Sequence, residues 1–126
     1  VEDLMFTGEK IPLINENIKM KSALKIISEK KLGVLIIKNK KGFTTGICTD
    51  GDIKRAIQMN KNLDDILVKK IMTHKPIFVQ KNMLAAKALS LMNEKKITSL
   101  CVNNEKIKNK TIGIIHIHQI LASDVQ

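Results

Sequence analysis

The stretch that decides the fold is residues 23–37, ALKIISEKKLGVLII, because it recurs in altered form at residues 88–102 as ALSLMNEKKITSLCV. The two copies lie 65 positions apart and share an Ala-Leu pair, a Glu-Lys-Lys turn and an apolar run that follows the turn. An internal repeat at a fixed period indicates one structural unit used twice. We therefore divide the chain into a first repeat with its N-terminal lead-in, residues 1–64, and a second repeat, residues 65–126.

Within each half, the apolar pattern changes in the same order. A short strand follows Pro12 and Pro76, and a helix with one apolar face comes next, preceded by Asn17 or Asn82 as a predicted cap. The apolar positions fall at helical spacing in both halves: Met20, Ala23, Leu24 and Ile27, then Ala85, Ala88, Leu89 and Met92.

Two strands and a second helix complete each half. The runs Val34–Ile37 and Leu100–Val102 are typical of buried central strands, and glycine-led strands follow at Gly46 and Gly113. In the first half, the closing helix is predicted from Ile53 to Met59. The fold class is therefore α/β (α+β), with two β-α-β-β-α units.

The segment 60–75 between the halves is polar but contains the apolar residues Ile66, Leu67, Ile71 and Met72, so we predict a docked linker. A unit of about 60 residues cannot bury its sheet alone, so the repeats are expected to pack together around a pseudo-twofold axis. Such packing leaves clefts where strand ends meet helix N-termini, which is where open α/β sheets bind ligands.

The composition argues against several classes of function. The formal charge is +10, but Arg55 is the sole arginine among 22 basic residues and only three residues are aromatic, which disfavours nucleic-acid binding.

The longest apolar runs are far below the roughly 20 residues of a membrane span. No secretory leader is recognisable in an N-terminus typical of an excised fragment, so we expect a cytoplasmic protein. Cys48 and Cys101 lie in apolar strands and are predicted to be free, buried thiols.

Two motifs resemble those of the CBS domain, a family that occurs as tandem pairs and often senses nucleotides. Residues 68–73, VKKIMT, followed by Pro76, resemble the entry into a second CBS repeat. Residues 46–52, GICTDGD, resemble the family's ligand signature, which ends in an aspartate. The resemblance covers nearly the whole chain and implies a CBS pair, the Bateman module.

A closer resemblance is to the C-terminal half of the D-arabinose-5-phosphate isomerases, which supply the Kdo branch of lipopolysaccharide synthesis. It is carried by residues 5–12 (MFTGEKIP), 49–52 (TDGD), 96–100 (KITSL) and 113–118 (GIIHIH). The family's active site belongs to an N-terminal sugar-isomerase domain, so the resemblance implies that this chain is not itself an enzyme. Its implied partners are that domain and a second copy, which would pair through the CBS helices.

In the first repeat, the resemblance implies that Asp52 accepts sugar hydroxyls and that Thr49 faces a phosphate. The alternative for Asp52 is charge stabilisation of the following helix, and we predict that Asp50 caps that helix. Arg55 lies one turn into the helix, either against the phosphate or on an exposed face.

In the second repeat, His116 and Gln119 occupy the positions of Thr49 and Asp52. Gln119 departs from the family pattern, which weakens the implied second site, although both side chains can hydrogen-bond to a ligand. His118 is predicted to line the cleft beside His116, and a metal is not expected because the sequence supplies no third ligand nearby. Two interpretations stay open for Thr98 and Ser99. Their hydroxyl groups donate to a ligand, or they are ordinary polar residues of the strand.

No catalytic constellation is present in the sequence, and no cofactor is required. The leading hypothesis is a regulatory module that binds a nucleotide or a CMP-sugar, for which pathway logic suggests CMP-Kdo as the effector. The alternative is a structural dimerisation module with a vestigial cleft.

Overall fold

The computed structural model describes residues 1–59, 62–74 and 76–123. The chain forms two compact units. The first unit comprises Pro12–Pro76, and the second unit comprises Val1–Ile11 together with Ile77–Gln126.

The first unit contains three strands and two helices in the described residues. They are β1 (Leu13–Asn15), α1 (Met20–Lys30), β2 (Val34–Lys38), β3 (Thr44–Thr49) and α2 (Asp50–Gln58). The sheet has the order β1-β2-β3, in which β1 runs parallel to β2 and β3 runs antiparallel to it. A hairpin closed by bonds between Asn39 and Phe43 joins β2 to β3.

The second unit repeats this topology. Its elements are β4 (Phe78–Gln80), α3 (Ala85–Lys95), β5 (Ser99–Asn103), β6 (Thr111–His116) and α4 (Ile117–Ala122), with the sheet order β4-β5-β6. The register is repeated as well, since Ile14 pairs with Ile37 and Val79 pairs with Val102. Both antiparallel pairs carry a register shift at the same position, after Ile37 and after Val102. The predicted β-α-β-β-α fold is confirmed.

The compact units differ from the sequence repeats in the placement of two lead-in segments, which are residues 1–11 and the linker residues 65–76. Residues 1–11 belong to the unit of the second repeat, whereas residues 65–76 belong to the unit of the first. The boundary at residues 64 and 65 stays a prediction about the repeats, because the compact units also reflect where each lead-in docks.

Each lead-in adds a short antiparallel bridge to the last strand of its unit. Thr73 and Ile47 exchange two backbone hydrogen bonds, of 2.7 and 2.9 Å. Phe6 and Ile114 do the same at 2.8 and 3.1 Å. With Val68 and Met72 buried, the prediction of a docked linker is confirmed for residues 62–74. Residues 60, 61 and 75 lie outside the described residues.

The cores are aliphatic, as the composition predicts. In the first unit, α1 buries Met20, Ala23 and Ile27 against the sheet, and in the second unit α3 buries Ala88 and Met92. The predicted helix faces are therefore confirmed. The predicted caps are wrong, because α1 starts after Lys19 and α3 after Leu84, and neither start has a side-chain cap.

The two cysteines are free and buried, in agreement with the prediction. Burial raises the pKa of each thiol to about 12, and at Cys48 the charges of Asp52 and Asp50 contribute to this. Because the thiolate is the reactive form, we expect neither cysteine to react with Ellman's reagent in the folded protein at pH 8. Both should react once urea unfolds the chain. Rapid reaction of one thiol without denaturant would contradict the buried assignment.

No described helix is long and apolar enough to cross a membrane. Within the same residues, no group of three or more His, Cys, Asp or Glu side chains is placed to hold a metal ion.

Candidate ligand sites at the strand-to-helix turns

The turn from β3 to α2 is built on a reciprocal cap. Thr49 is the N-cap residue, and its hydroxyl oxygen accepts a hydrogen bond from the backbone N–H of Asp52 at 3.2 Å. In return, the Asp52 carboxylate accepts from the backbone N–H of Thr49 at 2.8 Å and from its hydroxyl at 3.1 Å. This capping box satisfies backbone donors that the first turn of a helix leaves without partners.

The second oxygen of the Asp52 carboxylate has two further donors. Arg55 donates through Nη2, one turn along α2, and the Thr73 hydroxyl donates from the docked linker at 3.1 Å. The Asp52 side chain is only 5% exposed, whereas that of Arg55 is 67% exposed. A carboxylate has about four acceptor positions, and four donors occupy this one. Asp52 thus joins β3, α2 and the linker.

The structure brings three predicted residues, Thr49, Asp52 and Arg55, into one hydrogen-bonded cluster. The prediction that Asp50 caps α2 is wrong. Asp50 is the exposed first residue of the helix, and Asp52 supplies the reciprocal bond. The helix therefore begins three residues before the predicted Ile53. Thr73 also belongs to the cluster and was not predicted, although its place in the VKKIMT motif was the available signal.

The turn from β6 to α4 also carries a reciprocal cap, made by different side chains. His116 is the N-cap residue, and its Nδ1 accepts from the backbone N–H of His118 at 3.1 Å. The amide oxygen of Gln119 accepts from the backbone N–H of His116 at 3.0 Å. Gln119 therefore replaces the capping function of Asp52 without its charge, and its amide nitrogen remains a donor.

His116 is buried, with 7% of its surface exposed, while His118 is exposed. The two rings meet edge to face, with their centroids 4.6 Å apart. Burial lowers the pKa of His116 from its ordinary value of 6.5, and the neighbouring charge of His118 lowers it further. Because Nδ1 accepts a hydrogen bond, the neutral ring carries its proton on Nε2.

Of the two predicted hydroxyl donors, Ser99 lies at this turn. It pairs with His116 across the sheet, and its hydroxyl oxygen is buried without a hydrogen-bond partner among the described residues. Thr98 is exposed and joins the turn through its backbone, since its carbonyl accepts from Ile117 at 2.8 Å. The second unit thus gathers the five predicted residues Thr98, Ser99, His116, His118 and Gln119 at one turn.

Two open depressions in the described surface lie away from these residues. One, in the first unit, has a volume of about 340 Å³ beside Lys40 and Lys41. The other, in the second unit, has a volume of about 480 Å³ beside Lys81 and Met83. The strand-to-helix turns are candidate sites because of the chemistry of their side chains.

Comparison with known proteins identifies the class. The model of the CBS domain family matches residues 1–59 and 68–125. The chain therefore belongs to the CBS domain family, as its motifs predicted.

Among individual proteins, the chain is similar to arabinose 5-phosphate isomerase KdsD of Salmonella typhimurium. The two are 34% identical over 125 residues, which is 99% of this chain and 37% of that protein. The chain thus spans little more than a third of the length of the curated relatives it matches. The predicted resemblance to this isomerase family is confirmed.

Solved structures agree on the fold. The CBS domain pair of protein MJ0100, in complex with 5′-methylthioadenosine and S-adenosyl-L-methionine, gives a TM-score of 0.84 at 22% identity, covering 98% of this chain and 93% of that one. CBSX2 in complex with AMP gives 0.81 at 22% identity, covering 97% and 92%. At this identity the likeness shows the fold alone.

Proposed function

We propose that this chain is the ligand-sensing CBS pair at the C-terminal end of an arabinose 5-phosphate isomerase, and that its effector is an anionic nucleotide or a CMP-sugar such as CMP-Kdo. The observation that carries the proposal is the similarity to KdsD along 99% of the chain. The isomerase chemistry belongs to an N-terminal domain in this proposal, so the chain alone has no isomerase activity. The adenosine compounds bound by related CBS pairs support a nucleotide-type effector.

The chemistry of the first turn fits such an effector. Arg55 is largely exposed beside the N-terminus of α2, so its guanidinium can pair with a phosphate. Asp52 can accept sugar hydroxyls if they replace the hydroxyl of Thr73 and the guanidinium of Arg55. Ligand binding at Asp52 would then replace hydrogen bonds within the protein rather than add new ones. It would also weaken the contact between α2 and the linker, because the bond from Thr73 to Asp52 would be lost.

The alternative proposal is a structural module that pairs isomerase subunits through the CBS helices and has a vestigial cleft. Two observations favour it. All four acceptor positions of Asp52 are occupied within the protein, and the second turn carries Gln119 where the first has a carboxylate.

A thermal-shift series with CMP, CMP-Kdo, AMP and ATP separates the two proposals. A ligand that binds only the folded state at 100 times its Kd stabilises it by about 2.7 kcal/mol. For a chain of this size, that corresponds to a rise in Tm on the order of 10 °C. We expect at least one of the four to produce such a rise. No shift with any of them at millimolar concentration would support the structural module.

Gln119→Asp provides the matched variant. The shorter carboxylate can accept from the backbone N–H of residue 116, as Asp52 does from Thr49, and it restores the family's acceptor for sugar hydroxyls. If the second turn is a weakened ligand site, the variant should bind the same nucleotide more tightly or with a higher stoichiometry. Unchanged binding would confine the ligand to the first turn.

A further inference from the structure

Both strand-to-helix turns carry a reciprocal cap, but the cap acceptor is a hydroxyl oxygen in the first and an imidazole nitrogen in the second. In the first unit, the cap acceptor is the hydroxyl of Thr49, which keeps its lone pairs at any ordinary pH. In the second unit, the acceptor is Nδ1 of His116, which receives the backbone N–H of His118 at 3.1 Å. An imidazole nitrogen accepts a hydrogen bond only while it is unprotonated. The second cap therefore depends on the neutral state of one ring.

The described neighbours of His116 on the adjacent strand carry no charge. On β5, Ser99 lies opposite, and Cys101 lies on the same face of the sheet with its thiol pKa raised to about 12. The capping partner Gln119 is uncharged, unlike Asp52 in the first unit.

The elements packed against this turn carry several charged groups. Those of α3 are Lys87, Glu94 and Lys95, which are all exposed. Those of the lead-in that bridges β6 are Glu2, Asp3, Glu9 and Lys10. Among the described residues, His118 is the charged group that acts on the titration of His116, and its effect is unfavourable to a second positive charge.

We propose that protonation of His116 opens the cap of α4, which makes the second strand-to-helix turn a pH-sensitive element while the first turn stays closed over the same range. A protonated Nδ1 would point an N–H group at the N–H group of His118. The ring or the start of the helix must then move, because two donors cannot share this contact and burial disfavours the charged ring.

The direction of the pH effect follows from the shift. Burial and His118 lower the pKa of His116 in the folded protein below its ordinary 6.5, so the unfolded chain binds the proton more readily. The stabilisation from the neutral ring is complete above about pH 6.5 and is lost as the pH falls from there through the folded-state pKa. The inference concerns the ligand-free protein and does not rest on the proposed effector.

Nitrogen-15 NMR of the histidine rings tests the proposal directly on the unmodified chain. At pH 7.5 we expect His116 in the neutral form with its proton on Nε2. On acidification, the backbone amide signal of His118 should shift with the titration of the His116 ring, whereas the amide of Asp52 at the first turn should not. A proton on Nδ1 at pH 7.5, or a His118 amide that ignores the titration of His116, would overturn the proposal.

A stability comparison tests its consequence. His116→Thr installs the hydroxyl cap of the first unit, and His118→Asn removes the neighbouring ring while keeping the capping acceptor. When the pH falls from 7.5 to 5, the Tm of the unmodified protein should fall further than the Tm of His116→Thr. We expect a difference on the order of 3–5 °C, which is the effect of one helix cap. His118→Asn should retain most of this excess loss. Equal pH dependence of the protein and His116→Thr would show that the cap does not respond to protons.

Discussion

Asp52→Ala is expected to lower the free energy of unfolding by roughly 2–3 kcal/mol, since it removes a capping-box partner and a buried charged acceptor at once. The carboxylate accepts from the Thr49 backbone N–H, the Thr49 hydroxyl, Arg55 and the Thr73 hydroxyl. Alanine leaves these donors without their partner in a turn where Asp52 itself is 5% exposed. Urea unfolding at pH 7 measures the change as a shift of the midpoint at constant slope.

Two neighbouring substitutions serve as controls. Asp50→Ala removes a carboxylate of the same helix turn that is exposed and takes no part in the capping box. Arg55→Ala removes a donor that is 67% exposed, so its ion pair is largely screened by solvent. Each should change stability by about 1 kcal/mol or less. A loss in Asp52→Ala no larger than in Asp50→Ala would show that the buried cluster contributes little.

The same variant separates the structural and ligand-binding roles of Asp52. If sugar hydroxyls bind this carboxylate, Asp52→Ala also weakens binding of the nucleotide found in the thermal-shift series by about tenfold to a hundredfold. The affinity must be measured below the lowered melting temperature, so that only folded protein is titrated. A large loss of stability with unchanged affinity would assign Asp52 to the cap alone.

Gly46→Ala is expected to destabilise the protein by roughly 2–3 kcal/mol, because the added methyl group has no room. An ideal Cβ on Gly46 would lie 2.5 Å from the carbonyl oxygen of Thr73 and 2.8 Å from the sulfur of Met72. The methionine can move, but the Thr73 carbonyl is held by its hydrogen bond to the backbone N–H of Ile47. Relief therefore requires the linker to lift from β3. Urea unfolding measures the loss, and faster amide exchange at Ile47 and Thr73 locates it.

Alanine substitutions at two further glycines serve as controls for Gly46→Ala. At Gly113, the equivalent position in the second unit, a Cβ would lie 2.6 Å from the flexible Met5 sulfur and 3.0 Å from the Phe6 carbonyl oxygen, so we expect a smaller loss, roughly 1–2 kcal/mol. At Gly51, within α2, the nearest atoms are 3.4 Å away or more, and alanine should be tolerated or slightly stabilising. If Gly46→Ala were as mild as Gly51→Ala, the close contact with the linker would not exist in solution.

Local patterns predicted much of this architecture. The offset of 65 residues implied two units of one topology, and the helical spacing identified the residues that α1 and α3 bury, such as Met20 and Met92. These signals suffice because the burial of a helix face or a central strand depends on the period of apolar residues within one element.

Helix boundaries were predicted less well, for a local reason. Asn17 and Asn82 are good caps by residue type, but the helices start two residues later, after Lys19 and Leu84. At their other ends, both helices stop at a lysine in the left-handed conformation, Lys31 with φ of 60° and Lys96 with φ of 58°. Glycine or asparagine usually occupies such a helix end, so the two lysines did not indicate in the sequence where the helices stop.

The sequence by itself determined the repeat, the order of the elements, the aliphatic core and the family, because each is carried by residues close together in the chain. Only the tertiary structure decided the hydrogen-bonded cluster around Asp52 and the cap acceptor on His116. The first depends on Thr73, which lies 21 residues away and reaches the carboxylate only because its segment docks on β3. The second depends on which ring nitrogen faces the His118 amide inside a buried turn. The residue type limits which hydrogen bonds a side chain can form, whereas the packing of distant segments decides which of those hydrogen bonds do form.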